Sequence, residues 1–121
     1  MGMARTVAVA FGAIYVLAGL AGFVLASPIF GLFEVNVLHN VVHLLIGAIL
    51  LYGSTTTAAA IITTRSVGAV LLLLGVLGFI IPDGLGLVPL GANDIWLHLV
   101  TGAILLAVGF MGETAEARTT A

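Results

Sequence analysis

The side chains with types and spacing suited to chemistry are three histidines and one aspartate. His39 and His43 stand four residues apart, as do Asp94 and His98, so on a helix each pair projects from one face. Imidazoles with a carboxylate make a ligand set suited to a divalent cation such as zinc, and a helical His-x-x-x-His is a metal-binding half-site. His39, His43, Asp94 and His98 therefore form a candidate metal site. A second chemistry is haem ligation, with His43 and His98 as axial ligands and Gly47 and Gly102, one turn further on, leaving room for a flat macrocycle. Haem propionates would meet Glu34, Asp83 and Asp94 with no neighbouring cation, which ranks haem below a metal ion. A third use is a proton-responsive cluster in a wet crevice, although the far half of the chain offers little beyond Tyr15, Tyr52 and Thr101 to carry a proton onward. A fourth needs no ligand. The same side chains can staple helices by hydrogen bonds worth about 0.6–2 kcal/mol each, with Asn36, Asn40 and Asn93 completing a polar cluster and capping helix starts.

The elements that hold these residues are apolar throughout. Of 121 residues, 62% are hydrophobic and 7% charged, with three arginines and no lysine. So little charge cannot cover a water-soluble surface, whereas a bilayer accepts apolar side chains on every outward face. The composition predicts an integral membrane protein in contact with lipid. The absence of basic runs excludes nucleic-acid binding, and the lack of cysteine excludes disulfides and thiol chemistry. Four membrane-spanning helices are expected over about 5–26, 35–53, 65–82 and 94–111, followed by a frayed polar tail over 112–121. The first run also permits a cleavable signal peptide, since Arg5 precedes it and Val24-Leu25-Ala26 could mimic a cleavage site. Its length and its counterpart later in the chain favour a retained helix.

That counterpart is part of a repeat. NVLHNVVHLLIGAILL at 36–51 returns as GANDIWLHLVTGAILL at 91–106, setting His43 on His98 and Gly47 on Gly102; GAIYVLAGLAGFV at 12–24 returns as GAVLLLLGVLGFI at 68–80. The offsets are 55 and 56 residues, so the repeated unit is a two-helix hairpin, about 5–53 and 61–111. Two spans return the chain to its starting side, which predicts a four-helix bundle with a pseudo-two-fold axis along the membrane normal. Gly12, Tyr15, Gly19, Gly22 and Ala26 form one stripe, matched by Gly68, Leu71, Gly75, Gly78 and Pro82, and small-residue stripes allow close packing in lipid. The repeat sets His39 opposite Asp94 and His43 opposite His98. Arg5, Arg65 and Arg118 fall on one side of the spans and Glu34, Asp83 and Asp94 on the other, so the positive-inside rule places both termini in the cytoplasm of a cell-membrane protein. The histidines then lie toward the extracytoplasmic face.

Enzyme motifs are missing: there is no nucleophile beside a base and no phosphate-binding glycine loop, which predicts a non-enzymatic protein. Small-residue stripes permit a homo-oligomer or a place in a larger membrane complex. At FGLFEVNVLHNVVHLLIGAILL and NDIWLHLVTGAILL, and most clearly at Asn36, His39, Asn40, His43, Asp94 and His98, the chain resembles domain-of-unknown-function family 4383. The resemblance covers roughly residues 5 to 111. It implies a four-helix membrane topology and a bacterial or archaeal envelope setting, and supplies no activity.

Overall fold

The computed structural model describes residues 1–120, with side chains through residue 111. Four helices follow one another: α1 Met3–Val24, α2 Val37–Gly53, α3 Thr57–Ile80 and α4 Asn93–Thr120, with a short 3-10 turn at Gly84–Gly86 between the last two. The polar tail at 112–121 continues α4 in its backbone as far as Thr120; its side chains, Arg118 among them, lie outside the described residues.

Three of the helices, Met3–Val24, Thr57–Ile80 and Asn93–Met111 of α4, are long and apolar enough to cross a membrane. The second expected span falls short of that length. At 17 residues, α2 reaches roughly 26 Å, less than the ~30 Å of a bilayer core. It begins at Val37 because Asn36, with φ −138°, caps it: the Asn36 side chain accepts a hydrogen bond from the His39 amide at 2.8 Å. The third helix begins at Thr57, ahead of the span boundary near residue 65. Thr56 caps it, accepting from the Ala59 amide at 3.1 Å, so the link after α2 shrinks to a turn. Thr64 is accommodated inside the helix by donating its hydroxyl to the Ala60 carbonyl at 2.8 Å, the usual way a buried threonine satisfies itself there.

Each helix packs mainly on its hairpin partner, α1 on α2 and α3 on α4, while α2 and α4 scarcely touch. Glycines set the closeness of both hairpins. A Cβ on Gly47 would come within 2.7 Å of the Gly12 carbonyl, and one on Gly102 within 2.9 Å of the Gly68 carbonyl. The centre is filled by Tyr15, Leu50, Val67, Leu71 and Leu105. Outside it, Leu17, Phe23, Leu45, Leu73, Phe79 and Ile104 are exposed. Such an apolar exterior suits hydrocarbon rather than water.

The buried positions follow the offsets of the sequence repeat. Ala4, Ala8, Gly12, Tyr15 and Gly19 of α1 are buried, and 56 residues on so are Ala60, Thr64, Gly68, Leu71 and Gly75 of α3. In α2, His39, Asn40, His43, Gly47 and Leu50 are buried, as are Asp94, Ile95, His98, Gly102 and Leu105 of α4. The connecting loops share their turn as well. Phe30 and Gly31 have φ of 52° and 72°, and Leu85 and Gly86 have φ of 60° and 79°. In both loops the same two hydrogen bonds close the turn: Gly31 N to Pro28 O and Leu32 N to Ile29 O, then Gly86 N to Asp83 O and Leu87 N to Gly84 O.

Candidate functional site

The two loops and the N-terminal turns of α2 and α4 gather at one end of the bundle, and there the polar residues meet. Two asparagines lock this end reciprocally. The Asn36 amide donates to the Leu87 carbonyl at 2.9 Å, and the Asn93 amide donates to the Leu32 carbonyl at 3.1 Å. Asn93 thus spends its side chain on the opposite loop rather than on capping its own helix. Asn40 is buried against Gly22, where a Cβ would strike its side chain.

Beneath these loops His39, His43 and His98 converge. One ring nitrogen from each lies within 4.8 Å of the others, and all three residues are buried. His39 and His43 stack edge to face at a centroid distance of 4.3 Å, and His39 approaches His98 across the α2–α4 gap at 6.2 Å. Tyr15 from α1 sets its ring 5.3 Å from His43 at an interplanar angle of 80°. Nδ1 of His39, Nδ1 of His98 and both ring nitrogens of His43 are buried without a hydrogen-bond partner. Burying an unpaired polar group is costly, and native proteins keep such groups few. Four in one cluster of three residues therefore point to a ligand.

The spacing of the sequence located these residues but not their partners. Asp94 is 2% exposed and has an unpartnered Oδ2, yet it falls outside the three-histidine constellation. His39 meets His98 at a ring-centroid distance of 6.2 Å. The glycines invoked for haem do not leave a slot either. Gly47 faces Val16 and the Gly12 carbonyl, and Gly102 faces the Leu72 amide and the Gly68 carbonyl. Both are closed by neighbouring helices.

Two cavities adjoin the cluster. One of about 240 Å³ is bounded by His39, His43 and His98 together with Ile46, Leu71 and Leu74; the other, of about 360 Å³, by Tyr15, Ala18, His43, Asp94, Leu97 and Thr101 among others. His43 belongs to both. Tyr15, which the sequence places on the small-residue stripe of the first helix, and Thr101 form a hydrogen bond of 3.0 Å between α1 and α4. Their separation of 86 residues left no local signal from which to read the pair.

At the other end, arginines bond to backbone carbonyls of neighbouring helices, one of them at a helix terminus. Arg5 donates from Nε to the Ser54 carbonyl that caps α2 at 2.8 Å, and Arg65 donates to the Gly109 carbonyl at 3.3 Å. Arg65 also lies 4.0 Å over the Phe110 ring.

Four helices, three of them able to cross a membrane, and a buried histidine constellation under one pair of loops define the class: a small helical protein built for an apolar surrounding. The chain belongs to the domain-of-unknown-function family DUF4383, which matches residues 5–111. No curated protein and no solved structure matches the chain.

Proposed function

We propose that this is a non-enzymatic, multi-pass protein of the cell membrane that binds a divalent transition-metal cation, such as zinc, through His39, His43 and His98. The observation that carries the reading is the convergence of three buried imidazoles within 4.8 Å, with unpartnered nitrogens on each. Three neutral imidazoles suit zinc, copper or nickel better than magnesium or calcium, which prefer oxygen. In a tetrahedral zinc shell with Zn–N of about 2.0–2.1 Å, the ligand nitrogens stand roughly 3.3 Å apart, a contraction that small side-chain rotations supply. Three protein ligands leave a fourth coordination position, and the 240 Å³ cavity lies beside it. Asp94 serves this reading as neighbouring negative charge rather than as a ligand.

Duplication of a two-helix hairpin accounts for the site's form. Burial at matching offsets of 55 and 56 residues, matching glycine crossings and matching loop turns support an internal repeat with a pseudo-two-fold axis along the membrane normal. In this reading both termini are cytoplasmic, the arginine-capped end faces the cytoplasm, and the histidines lie toward the outside, reached by extracytoplasmic cations.

The test is metal content in protein purified without a histidine tag. One zinc per chain after reloading and desalting is expected, falling to background in the His43→Ala, His98→Ala double variant. Wild-type protein that retains no stoichiometric metal, and gains no melting temperature from zinc, copper or nickel, would defeat the reading.

A further inference from the structure

The two cavities are counterparts under the offset of the repeat, and their differences are chemical. His39, Ile46, Leu71 and Leu74 of the smaller one correspond to Asp94, Thr101, Tyr15 and Ala18 of the larger. Replacing Leu74 by Ala18 removes bulk, in keeping with the increase from about 240 to about 360 Å³. The larger volume enters the range of about 300–1,000 Å³ typical of small-molecule sites; the smaller does not. The other exchanges put a carboxylate, a phenol and a hydroxyl where the first cavity has an imidazole and hydrocarbon.

We propose that the larger cavity is a second site, which shares His43 with the first and binds an amphiphile carrying a protonated amine on a hydrocarbon body. Three features converge on that class. Asp94, only 2% exposed, lines the cavity with Oδ2 unpartnered, and a buried carboxylate is best completed by a charge-assisted hydrogen bond. Thr101 spends its proton on the Leu97 carbonyl at 2.7 Å, so Tyr15 is the donor in the 3.0 Å bond to Thr101. The phenol oxygen therefore keeps lone pairs free to accept from an ammonium. The rings of Tyr15, Phe30 and Phe33 line the same space, and aromatic faces attract ammonium groups. The remaining walls are apolar apart from His43, which this cavity shares with the smaller one. Ile14, Leu17 and Phe30 are 55%, 64% and 82% exposed, so the mouth opens on the outside of the bundle, where a hydrocarbon body enters from lipid.

The inference does not rest on metal binding, since Asp94 and Tyr15, the groups that meet the ammonium, are outside the histidine constellation, although His43 borders both cavities. The experiment compares cyclohexylmethylammonium with neutral cyclohexylmethanol in phosphatidylcholine nanodiscs holding the wild-type protein, read by saturation-transfer NMR and melting temperature. The ammonium is expected to bind saturably and the alcohol at least about tenfold more weakly, with Asp94→Asn losing at least about tenfold in ammonium affinity. Ala18→Phe, which fills the cavity without touching the carboxylate, is expected to abolish binding while leaving zinc content unchanged. Equal binding of alcohol and ammonium by wild type, no saturable binding, or undiminished binding by a folded Ala18→Phe protein would each overturn the proposal. Competition when phosphatidylethanolamine replaces phosphatidylcholine assigns the amine to a lipid headgroup; undiminished probe binding assigns it to a free amphiphilic amine. Both of these results uphold ammonium recognition.

Discussion

His39 of α2 and His98 of α4 hold their rings with centroids 6.2 Å apart, across two helices whose backbones scarcely meet. The histidines thus bridge the two hairpins at a helix pair that close glycine packing does not join. A cation bound there would clasp the first hairpin to the second, and stability should follow metal occupancy.

Chelation is accordingly expected to lower the melting temperature of zinc-loaded protein. Metal held at about 100 times its dissociation constant stabilises the fold by about 2.7 kcal/mol, because the ion binds the folded state alone. His39→Ala should remove most of this increment. Loss of a direct ligand should weaken zinc by more than the roughly 10–100-fold attributed to outer-shell partners, as measured by competition with a chromophoric chelator.

The two glycine crossings should differ in tolerance. A Cβ at Gly68 would meet backbone, 2.5 Å from the Leu106 amide nitrogen, whereas one at Gly12 first meets the Leu51 side chain at 2.9 Å. Side chains can move aside and backbone cannot. Gly68→Ala is expected to cost about 1–3 kcal/mol, the range for overpacking, and Gly12→Ala measurably less, both read by detergent unfolding.

Asn36→Ala should destabilise more than Asn93→Ala. Asn36 both caps α2 at the His39 amide and reaches the Leu87 carbonyl, while Asn93 makes the cross-loop bond to Leu32. The cap adds about 0.5–2 kcal/mol to a hydrogen bond worth about 0.5–1.5 kcal/mol. Because the cap orients the first turn carrying His39, Asn36→Ala should also weaken zinc, and Asn93→Ala should do so less.

Tyr15→Phe removes the bond to Thr101 and is expected to cost about 0.5–1.5 kcal/mol. A double-mutant cycle with Thr101→Val isolates the pair: the combined loss should be smaller than the sum of the single losses.

Helix number and the list of reactive side chains were legible in the chain because hydrophobic runs and the histidine pairs are local signals. The start of α3 was less so. Residues 54 to 64 read as a mildly apolar link between spans, yet one threonine there caps the helix and another bonds back to Ala60. The brevity of α2 likewise depended on where Asn36 turns its side chain.

By itself, the sequence determined an apolar four-helix chain and the helical faces that carry His39, His43, Asp94 and His98. Only the tertiary structure decided which of these meet. Periodicity fixes the face on which a residue lies, but the crossing of helices fixes its depth and its neighbours. That crossing brought three histidines together, left Asp94 to a second cavity beside Tyr15 and Thr101, and closed Gly47 and Gly102 with neighbouring helices.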